Sequence, residues 1–260
     1  MNILVTGSKG FVGSYLIKSL KNYTVIPFDI SNSPIQDIKH LDHLSSTKID
    51  AIIHLAALCN IPESLNYPYA YFLNNVSGTL DLLEYARNHD VRKFLFASSV
   101  AHVNTPYGLT KHNGEEWCCL YHEQYDLETC ILRIFNIYGS GQNKGVIHNF
   151  IEQIKQNEKL TVFGDGKQVR DYIHVSDVIK NIKLILNYKE AGIYEIGTGT
   201  KTTVNQLVEI FKKTLRRKLK VSYLPRRVGD VEYSFSRNPF AMCMPLPLGL
   251  KIVLEKESLL

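Results

Sequence analysis

Hydrophobic and polar positions in the first half of the chain alternate between short apolar runs and stretches with helical spacing. Apolar runs bounded by turn residues predict buried strands, and apolar residues every three to four positions predict helices. We predict strands at 2–5, 23–29, 51–58, 93–97 and 128–135, with helices at 12–20, 74–87 and 107–125. Strands that alternate with helices predict a doubly wound parallel sheet with helices on both faces.

Beyond residue 136 the pattern loosens into loops. Helices are predicted at 147–156, 178–186 and 204–215, with short strands at 193–196 and 220–224. The tail from Pro239 has weak periodicity and predicts no element. The 260 residues suffice for one large α/β domain, or for a cofactor-binding part with a smaller mixed α/β substrate-binding part.

Composition and charge are those of an ordinary globular protein and do not indicate nucleic-acid binding. Hydrophobic residues are 45% of the chain and charged residues 21%, which is ordinary for a globular protein. The net charge of +5 comes with one dense basic run at 212–220, which has no interleaved aromatic residues and is typical of a solvated helix face. We therefore predict no nucleic-acid partner.

The five cysteines predict neither disulfides nor a metal site. Their number is odd and no CxxC occurs. Cys118, Cys119 and His122 are close in sequence, but no fourth ligand stands at a zinc-like spacing. With no signal-peptide pattern and no apolar stretch long enough for a bilayer, the expectation is a cytoplasmic protein without a membrane partner.

A glycine-rich turn follows the first strand and opens the first helix. In this GxxGxxG segment Gly7 suits a tight turn, Gly10 lets the backbone approach a pyrophosphate, and Gly13 permits close helix–strand packing. Asp29, at the end of the next strand, suits the ribose hydroxyls of adenosine and repels a 2′-phosphate. The pattern predicts NAD binding in a Rossmann-type fold; the alternative is a turn that merely packs a helix.

Tyr107 and Lys111 form a YxxxK pair on one face of a predicted helix. A nearby ammonium favours a phenolate, so Lys111 is expected to lower the pKa of Tyr107 and make it a general base. Ser99, just after the predicted strand at 93–97, is placed to hold a substrate hydroxyl. YxxxK alone is common among surface residues, and the preceding nucleotide-binding pattern is what favours a catalytic role.

The ordered motifs resemble the extended short-chain dehydrogenase/reductase family, in particular its NAD-dependent nucleotide-sugar epimerases and dehydratases. The resemblance covers nearly the whole chain and rests on TGSKGFVG, HLAA, NNVSGTLDLLEYA, ASS, YGLTK, RIFNIYGSGQ, TVFGDGKQVRDYIHVSDV, YEIGTGTKTTVNQL and PRRVGD, which follow in the family's order.

The resemblance implies roles position by position. Contacts to NAD are implied for Gly7, Gly10, Phe11, Val12, Gly13, Asp29, Asp37, Ile38, Leu55, Ala56, Ala57, Asn74, Tyr107 and Lys111. Contacts to a nucleotide-diphosphate sugar are implied for Asn136, Phe163, Arg170, Arg227 and Asp230. The alternative for Arg170 is a salt bridge with Asp171, and for Arg227 a solvated surface charge. His54 is expected to satisfy a backbone group in the core.

The reaction implied is NAD-dependent epimerisation of a nucleotide-diphosphate sugar, most simply at C4, through a transient keto sugar and reversible hydride transfer. Val100, Ala101 and His102 follow Ser99 without a carboxylate, which argues against a dehydratase. Keto-sugar reductase and dehydratase remain the alternatives within the class. The seven-residue connection from Ser99 to Tyr107 is shorter than in relatives, so a catalytically impaired NAD- or sugar-nucleotide-binding protein is the alternative of another class.

Two further expectations concern organisation. We predict an NAD-binding part at 1–135 plus about 176–200, and a nucleotide-sugar-binding part at 136–175 plus 201–260. The resemblance also implies a homodimer formed through the helices at 74–87 and 107–125.

Overall fold

The computed structural model of the chain describes residues 1–29, 47–100, 104–227 and 230–260. The chain divides into two compact units. The first unit comprises Met1–Arg133 and Ile179–Tyr194, and the second comprises Ile134–Val178 and Glu195–Leu260. Asp37 and Ile38, predicted to contact NAD, lie outside the described residues.

The elements follow one another in this order along the chain. The first half contains β1 (Asn2–Thr6), α1 (Phe11–Ser19), β2 (Thr24–Phe28), β3 (Ala51–His54), α2 (Ile61–Asn66), α3 (Pro68–Tyr71), a π-helical segment (Phe72–Ser77), α4 (Gly78–Asn88), β4 (Lys93–Ser99), α5 (Pro106–Tyr125) and β5 (Glu128–Ile134). The second half contains β6 (Asn136–Tyr138), α6 (Val146–Lys155), β7 (Leu160–Phe163), β8 (Val169–Arg170), β9 (Tyr172–His174), α7 (Val175–Asn187), β10 (Gly192–Ile196), β11 (Thr202–Thr203), α8 (Val204–Leu215), β12 (Val221–Leu224), β13 (Tyr233–Ser234) and α9 (Leu246–Lys256).

Within the described residues, six strands form the main sheet in the order β2–β1–β3–β4–β5–β10. Strand β1 pairs in parallel with β2 and β3, and β3 pairs in parallel with β4. The register places Val5 beside Ile53 and Ile53 beside Leu95. All three side chains are completely buried, which is why these strands are continuous apolar runs in the sequence. The predicted Rossmann-type α/β fold is confirmed.

The strand order reverses at β1, because β2 lies on one side of it and β3 on the other. In open α/β sheets such a reversal leaves a crevice at the carboxyl ends of the strands, where ligands bind. The turn from Gly7 to Gly10 follows β1 at that end. The topology therefore puts the glycine-rich turn where a nucleotide site is expected.

The helices of the first unit pack on this sheet through apolar faces. Leu83 and Ala86 of α4, and Cys118 of α5, belong to the same buried cluster as Phe94 and Phe96 of β4. None of the helices in the described part of the chain is long and apolar enough to cross a membrane.

The second unit is built from short strands and amphipathic helices. Its strands form the arrays β11–β8–β13, β12–β7 and β6–β9. Helices α6 and α8 meet through Phe150 and Phe211, whose ring centroids lie 5.6 Å apart in an edge-to-face arrangement. Leu250 and Leu254 of α9 are completely buried in the same cluster, so the tail that predicted no element contributes a core helix.

Two of the sequence-based boundaries that differ from the structure concern the candidate site. The strand predicted at 51–58 ends at His54, and residues 55–58 leave the sheet after the Leu55 N–H donates to the Thr6 carbonyl at 3.2 Å. The helix predicted at 74–87 begins inside the π-helical segment and becomes α-helical only at Gly78. Both differences fall beside the candidate site.

Candidate active site

The glycine-rich turn is shaped by contacts that side chains would prevent. Gly7 has φ +67°, and a Cβ there would lie 2.7 Å from the Ala56 nitrogen. A Cβ on Gly13 would lie 2.1 Å from the Gly7 carbonyl oxygen. The first glycine is therefore required by the turn and the third by the packing of α1 against it.

The turn and the start of α1 fit a dinucleotide pyrophosphate. A Cβ on Gly10 would meet only the Gly7 carbonyl oxygen, at 3.1 Å, so the backbone is open to close approach from outside. The N-cap of α1 is Gly10 itself, and the first turn contains no acidic residue. The positive end of the helix is thus not neutralised by its own side chains, and it suits a phosphate. Phe11 and Val12 form the first residues of this turn.

Asp29 lies beside the same turn. Its Oδ2 accepts a hydrogen bond of 2.9 Å from the Lys9 N–H, which places the carboxylate at the end of β2 next to the glycine-rich loop. A carboxylate here suits ribose hydroxyls and disfavours a 2′-phosphate. The donor set therefore fits NAD better than NADP.

A chain of hydrogen bonds through His54 supports the floor of this site. His54 Nδ1 lies 2.7 Å from Thr6 Oγ1, and Nε2 lies 3.0 Å from Thr79 Oγ1. The Thr79 hydroxyl donates to the Asn75 carbonyl at 2.6 Å, so Nε2 is the donor and Nδ1 the acceptor. Burial lowers the pKa of His54 to about 3. His54 is a neutral core residue, as expected, but its partners are hydroxyl groups and not the backbone.

Residues 55–58, which follow β3, are held in place by side-chain hydrogen bonds. The Ala56 N–H donates to Thr6 Oγ1 at 3.4 Å. The Leu58 N–H donates to Asn75 Oδ1, and Asn75 Nδ2 donates to the Leu58 carbonyl, both at 2.9 Å. Asn74, the predicted cofactor contact, is buried and donates to Asn75 Oδ1 at 3.0 Å. Sequence reasoning missed Asn75, although it stands next to Asn74 in the same motif.

The start of α5 fixes the position of Tyr107. Thr105 caps the helix by accepting a 3.1 Å hydrogen bond from the Gly108 N–H, and Pro106 occupies the first helical position. The Tyr107 phenol is hydrogen-bonded to Ser99. The short connection between these two residues therefore still brings them together.

Lys111 lies one turn after Tyr107 and points at the end of β4. Its ammonium donates to the Ala97 carbonyl at 2.8 Å and lies 4.9 Å from the centre of the Phe96 ring. Burial lowers the pKa of Lys111 to about 8. Because this pKa is near neutral pH, a negative charge that develops close to Lys111 would favour its protonated form.

The electrostatics of Tyr107 differ from the sequence-based expectation. Desolvation raises the pKa of the phenol above its ordinary value, and the hydrogen bond from Ser99 opposes that rise. Lys111 was expected to lower this pKa, but in the structure the pKa of Tyr107 is raised. In the described residues it is Ser99, and not Lys111, that favours the phenolate.

The predicted substrate residues form two pairs in the second unit. Arg170 makes a salt bridge with Asp230. The Arg227 guanidinium stacks on the Phe163 ring, 3.6 Å from its centre, although the Arg227 side chain is exposed. Asn136 is engaged elsewhere, because its Nδ2 donates to the Asp171 carbonyl at 3.0 Å.

Asp171 does not pair with Arg170. Its carboxylate accepts hydrogen bonds from the backbone of Thr198, Gly199 and Ser236, at 2.8–3.1 Å. The alternative of an Arg170–Asp171 salt bridge is therefore wrong, and Asp171 organises the interior of the second unit. In the part of the chain that is described, no group of three or more His, Cys, Asp or Glu side chains could hold a metal ion.

Fold and site together define a Rossmann-type enzyme with a glycine-rich turn after β1 and a serine, tyrosine and lysine set on β4 and α5. Residues 3–197 match the model of the NAD dependent epimerase/dehydratase family, and the chain belongs to that family. NAD is its cofactor, and the prediction of an NAD-dependent, nucleotide-sugar epimerase-like enzyme is confirmed.

Similar proteins carry related names. A protein of Methanocaldococcus jannaschii, provisionally named a UDP-glucose 4-epimerase, is 36% identical over 268 residues, covering 88% of this chain and 87% of that protein. The crystal structure of Thermotoga maritima UDP-glucose 4-epimerase with UDP-glucose has a TM-score of 0.92 and 29% identity, covering 100% of both chains. UDP-N-acetylglucosamine 4-epimerase of Methanobrevibacter ruminantium, solved with UDP-N-acetylmuramic acid, has a TM-score of 0.91 and 27% identity, covering 98% of this chain and 97% of that one.

Proposed function

We propose that the chain catalyses reversible epimerisation at C4 of a UDP-sugar. The observation that carries the proposal is the hydrogen bond between Ser99 and the Tyr107 phenol, one helical turn before the buried Lys111 ammonium. Three groups of this kind on one helix and one strand end suit removal and return of a proton at a sugar hydroxyl. The names of the similar proteins, which act on UDP-glucose and UDP-N-acetylglucosamine, support C4 as the position and UDP as the nucleotide.

The roles within the first unit follow from this geometry. Tyr107 takes the proton of the C4 hydroxyl and later returns it, and Ser99 holds the same hydroxyl by a hydrogen bond. The hydrogen bond from Ser99 favours the Tyr107 phenolate that can accept this proton, and Lys111 holds its ammonium one helical turn further along α5. The glycine-rich turn and Asp29 would hold NAD⁺, which when bound would supply the hydride acceptor and donor that epimerisation at C4 requires.

In the second unit, the proposed role of the two arginines is to hold the nucleotide diphosphate. A guanidinium offers two parallel donors to phosphate oxygens. Asp230 neutralises Arg170 in the structure, so binding of a diphosphate would compete with this salt bridge. Phe163 provides a flat surface on which Arg227 already stacks.

The test is product formation from purified protein with NAD⁺ and, in separate reactions, UDP-glucose, UDP-N-acetylglucosamine and UDP-glucuronate. Tyr107→Phe should lower the rate about 10²–10⁴-fold, the usual contribution of a positioned base, while NAD stays bound. Tyr125→Phe is the matched control, since it removes a phenol hydroxyl from the exposed end of the same helix, and it should leave the rate unchanged.

The other readings give different products in the same assay. A dehydratase would release water from the sugar. A keto-sugar reductase, running in reverse in this assay, would release a keto sugar and an equal amount of NADH, whereas an epimerase forms no net NADH. Bound NAD with no change in any of the three substrates would favour a binding protein and overturn the proposal. Glu115 is a buried carboxylate on α5, but Arg133 engages both of its oxygens at 2.6–3.1 Å, which leaves it poorly placed for the acid–base steps of dehydration.

A further inference from the structure

Tyr71 and Asn75, one helical turn apart, hydrogen-bond to the backbone of residues 58–60, which follow the residues predicted to line the cofactor site. The Tyr71 hydroxyl donates to the Asn60 carbonyl at 2.8 Å and accepts from the Asn60 N–H at 3.0 Å. Asn75 makes the equivalent pair of bonds to the backbone of Leu58. The backbone on both sides of Cys59 is therefore held by side chains from α3 and the π-helical segment.

The same two side chains also contact the helix that bears the catalytic tyrosine. The Tyr71 ring meets the Tyr107 ring edge-on, with centroids 6.5 Å apart and an interplanar angle of 81°. Asn75 Nδ2 donates to Thr110 Oγ1 at 3.1 Å. The Thr110 hydroxyl in turn donates to the Tyr107 carbonyl at 2.8 Å. Tyr71 therefore contacts the ring of Tyr107, and Asn75 is linked to its backbone through Thr110.

From these contacts we infer that Tyr71 is a positioning residue for Tyr107. The inference rests on the proposed function. The Tyr71 ring fixes the direction of the Tyr107 ring, and its hydroxyl ties that direction to the segment that lines the cofactor. Tyr71 is 1% exposed, so its own orientation is fixed by packing. The π-helical turn begins at the next residue, Phe72, and such wide turns occur frequently at functional sites.

The contacts of Tyr71 and Asn75 join the cofactor-lining segment and the proposed base, Tyr107, into one rigid assembly. A base displaced by about 1 Å from a productive position loses on the order of 10²-fold in rate. Removal of the Tyr71 ring should allow that displacement and admit water to Tyr107. The pKa of Tyr107 should then fall, because desolvation is the main cause that raises it and Tyr71 adds to the rise.

The test compares Tyr71→Phe and Tyr71→Leu in the NAD-bound enzyme. We expect Tyr71→Leu to lower kcat about 10–100-fold and to leave the KM for the UDP-sugar within about twofold, since the residues proposed to bind the diphosphate lie in the second unit. The basic group in the pH profile of kcat should titrate at lower pH than in the parent enzyme. Tyr71→Phe keeps the ring, so its kcat should fall less, while the Asn60 amide should exchange its hydrogen faster.

Tyr85→Phe is the control for loss of a buried tyrosine hydroxyl. Tyr85 is 3% exposed and belongs to the core cluster of α4 and the sheet. It should lose stability without a change in kcat or in the pH profile. Unchanged kcat and pH profile in Tyr71→Leu, or a loss expressed only in KM, would overturn the proposal. If that variant does not fold, Tyr71→Phe decides: a parent-like kcat together with parent-like exchange at Asn60 would overturn it as well.

Failure of the proposed function can be told apart from failure of this inference. If the parent enzyme epimerises none of the UDP-sugars, the Tyr107 phenol can be titrated directly by NMR with ¹³C-labelled tyrosine, assigned by its loss in Tyr107→Phe. A lower pKa of Tyr107 in Tyr71→Leu would support the positioning role without any turnover. The same pKa in both proteins would contradict it.

Discussion

Burial acts on the charge of two basic side chains, His54 at the end of β3 and Lys111 on α5. His54 is neutral because its ring lies in the core between two threonine hydroxyls. Lys111 is nearly as buried, yet its ammonium has a carbonyl acceptor and an aromatic face. The first residue supports the backbone beneath the cofactor crevice, and the second is kept as a charge at a cost in stability, which is typical of catalytic groups.

This cost predicts that Lys111→Met gives a more stable but inactive protein. The pKa of Lys111 is about 8 in the folded chain and 10.5 in the unfolded one. This difference corresponds to about 3 kcal/mol, offset by about 1–2 kcal/mol for the lost hydrogen bond to Ala97. We expect the free energy of unfolding at pH 7, measured with urea, to rise by about 1–2 kcal/mol.

The pH dependence of that gain identifies its cause. Below about pH 8 the lysine is charged in both states, and the penalty of burying the charge is fully present. Between pH 8 and 10.5 the folded state loses its proton before the unfolded state does, so the parent protein becomes more stable with rising pH. The advantage of Lys111→Met should therefore shrink across this range. A gain that is the same at pH 7 and pH 10 would contradict the explanation.

At the scale of the elements, two neighbouring residues specify the position of α5. A Cβ on Gly114 would lie 2.5 Å from Phe96 Cζ, so only glycine allows the helix to approach β4 this closely. One residue on, the buried Glu115 carboxylate accepts hydrogen bonds from Ser98 and Arg133. These contacts fasten the helix to β4 and β5, and they set the height at which Lys111 meets the strand end.

Gly114→Ala should therefore damage both stability and activity. Phe96 is completely buried, so either its ring or α5 must shift to make room for the new methyl group. We expect a loss of about 1–3 kcal/mol in the free energy of unfolding and a fall in kcat, because Lys111 packs over the same ring. Asn113→Ala, at the exposed neighbouring position, is the control and should be neutral. Parent-like stability and kcat in Gly114→Ala would show that the helix position is not so constrained.

Sequence patterns predicted the elements that have an uninterrupted apolar pattern and missed a helix whose pattern is interrupted by residues that tertiary packing requires. The first five strands of the sheet were predicted, since each is an apolar run. Helix α9 was missed because Pro247 and Gly249 interrupt its pattern, yet a Cβ on Gly249 would lie 2.1 Å from the Tyr138 hydroxyl. That glycine is required by packing, which is invisible in the sequence.

The site shows the same division. The glycine-rich turn and the Ser99, Tyr107 and Lys111 set follow from local spacing and family motifs. The structure joins Ser99 to Tyr107 and directs Lys111 to the Ala97 carbonyl of the same strand that bears Ser99. Tyr71 and Asn75 act through backbone groups of other segments, and a backbone partner leaves no trace in a sequence pattern. The cofactor and substrate roles of individual residues stay predictions until ligand binding is measured.

At the scale of the whole molecule, the division into two units separates the proposed chemistry from the proposed recognition. The glycine-rich turn and the tyrosine–lysine pair belong to the first unit, and the two arginines with their partners belong to the second. Substitutions in one unit should therefore act mainly on kcat or NAD binding, and those in the other mainly on KM. This separation is what makes the KM and kcat readouts of Tyr71→Leu informative.

Exposed apolar side chains on α5 bear on the predicted homodimer through α4 and α5. Leu109 and Leu120 lie on α5 and are 53% and 40% exposed, with the partly buried Trp117 between them in sequence. Apolar side chains at such spacing form a stripe on one side of a helix. A two-fold symmetric contact would cover the stripe with its own copy. Sizing with light scattering should give about twice the chain mass of 29.7 kDa.

Leu120→Glu should convert that dimer into a monomer, because a two-fold contact places each new carboxylate in a buried interface near its copy. We expect the dissociation constant to rise at least about tenfold, or about 1.4 kcal/mol. Leu184→Glu makes the same change at a 47% exposed leucine on α7, and it should leave the dimer intact. A parent protein that is monomeric at tens of micromolar would contradict the prediction. Equal dissociation of both variants would contradict it as well, since a contact through α5 requires that Leu120→Glu weakens the dimer more than Leu184→Glu.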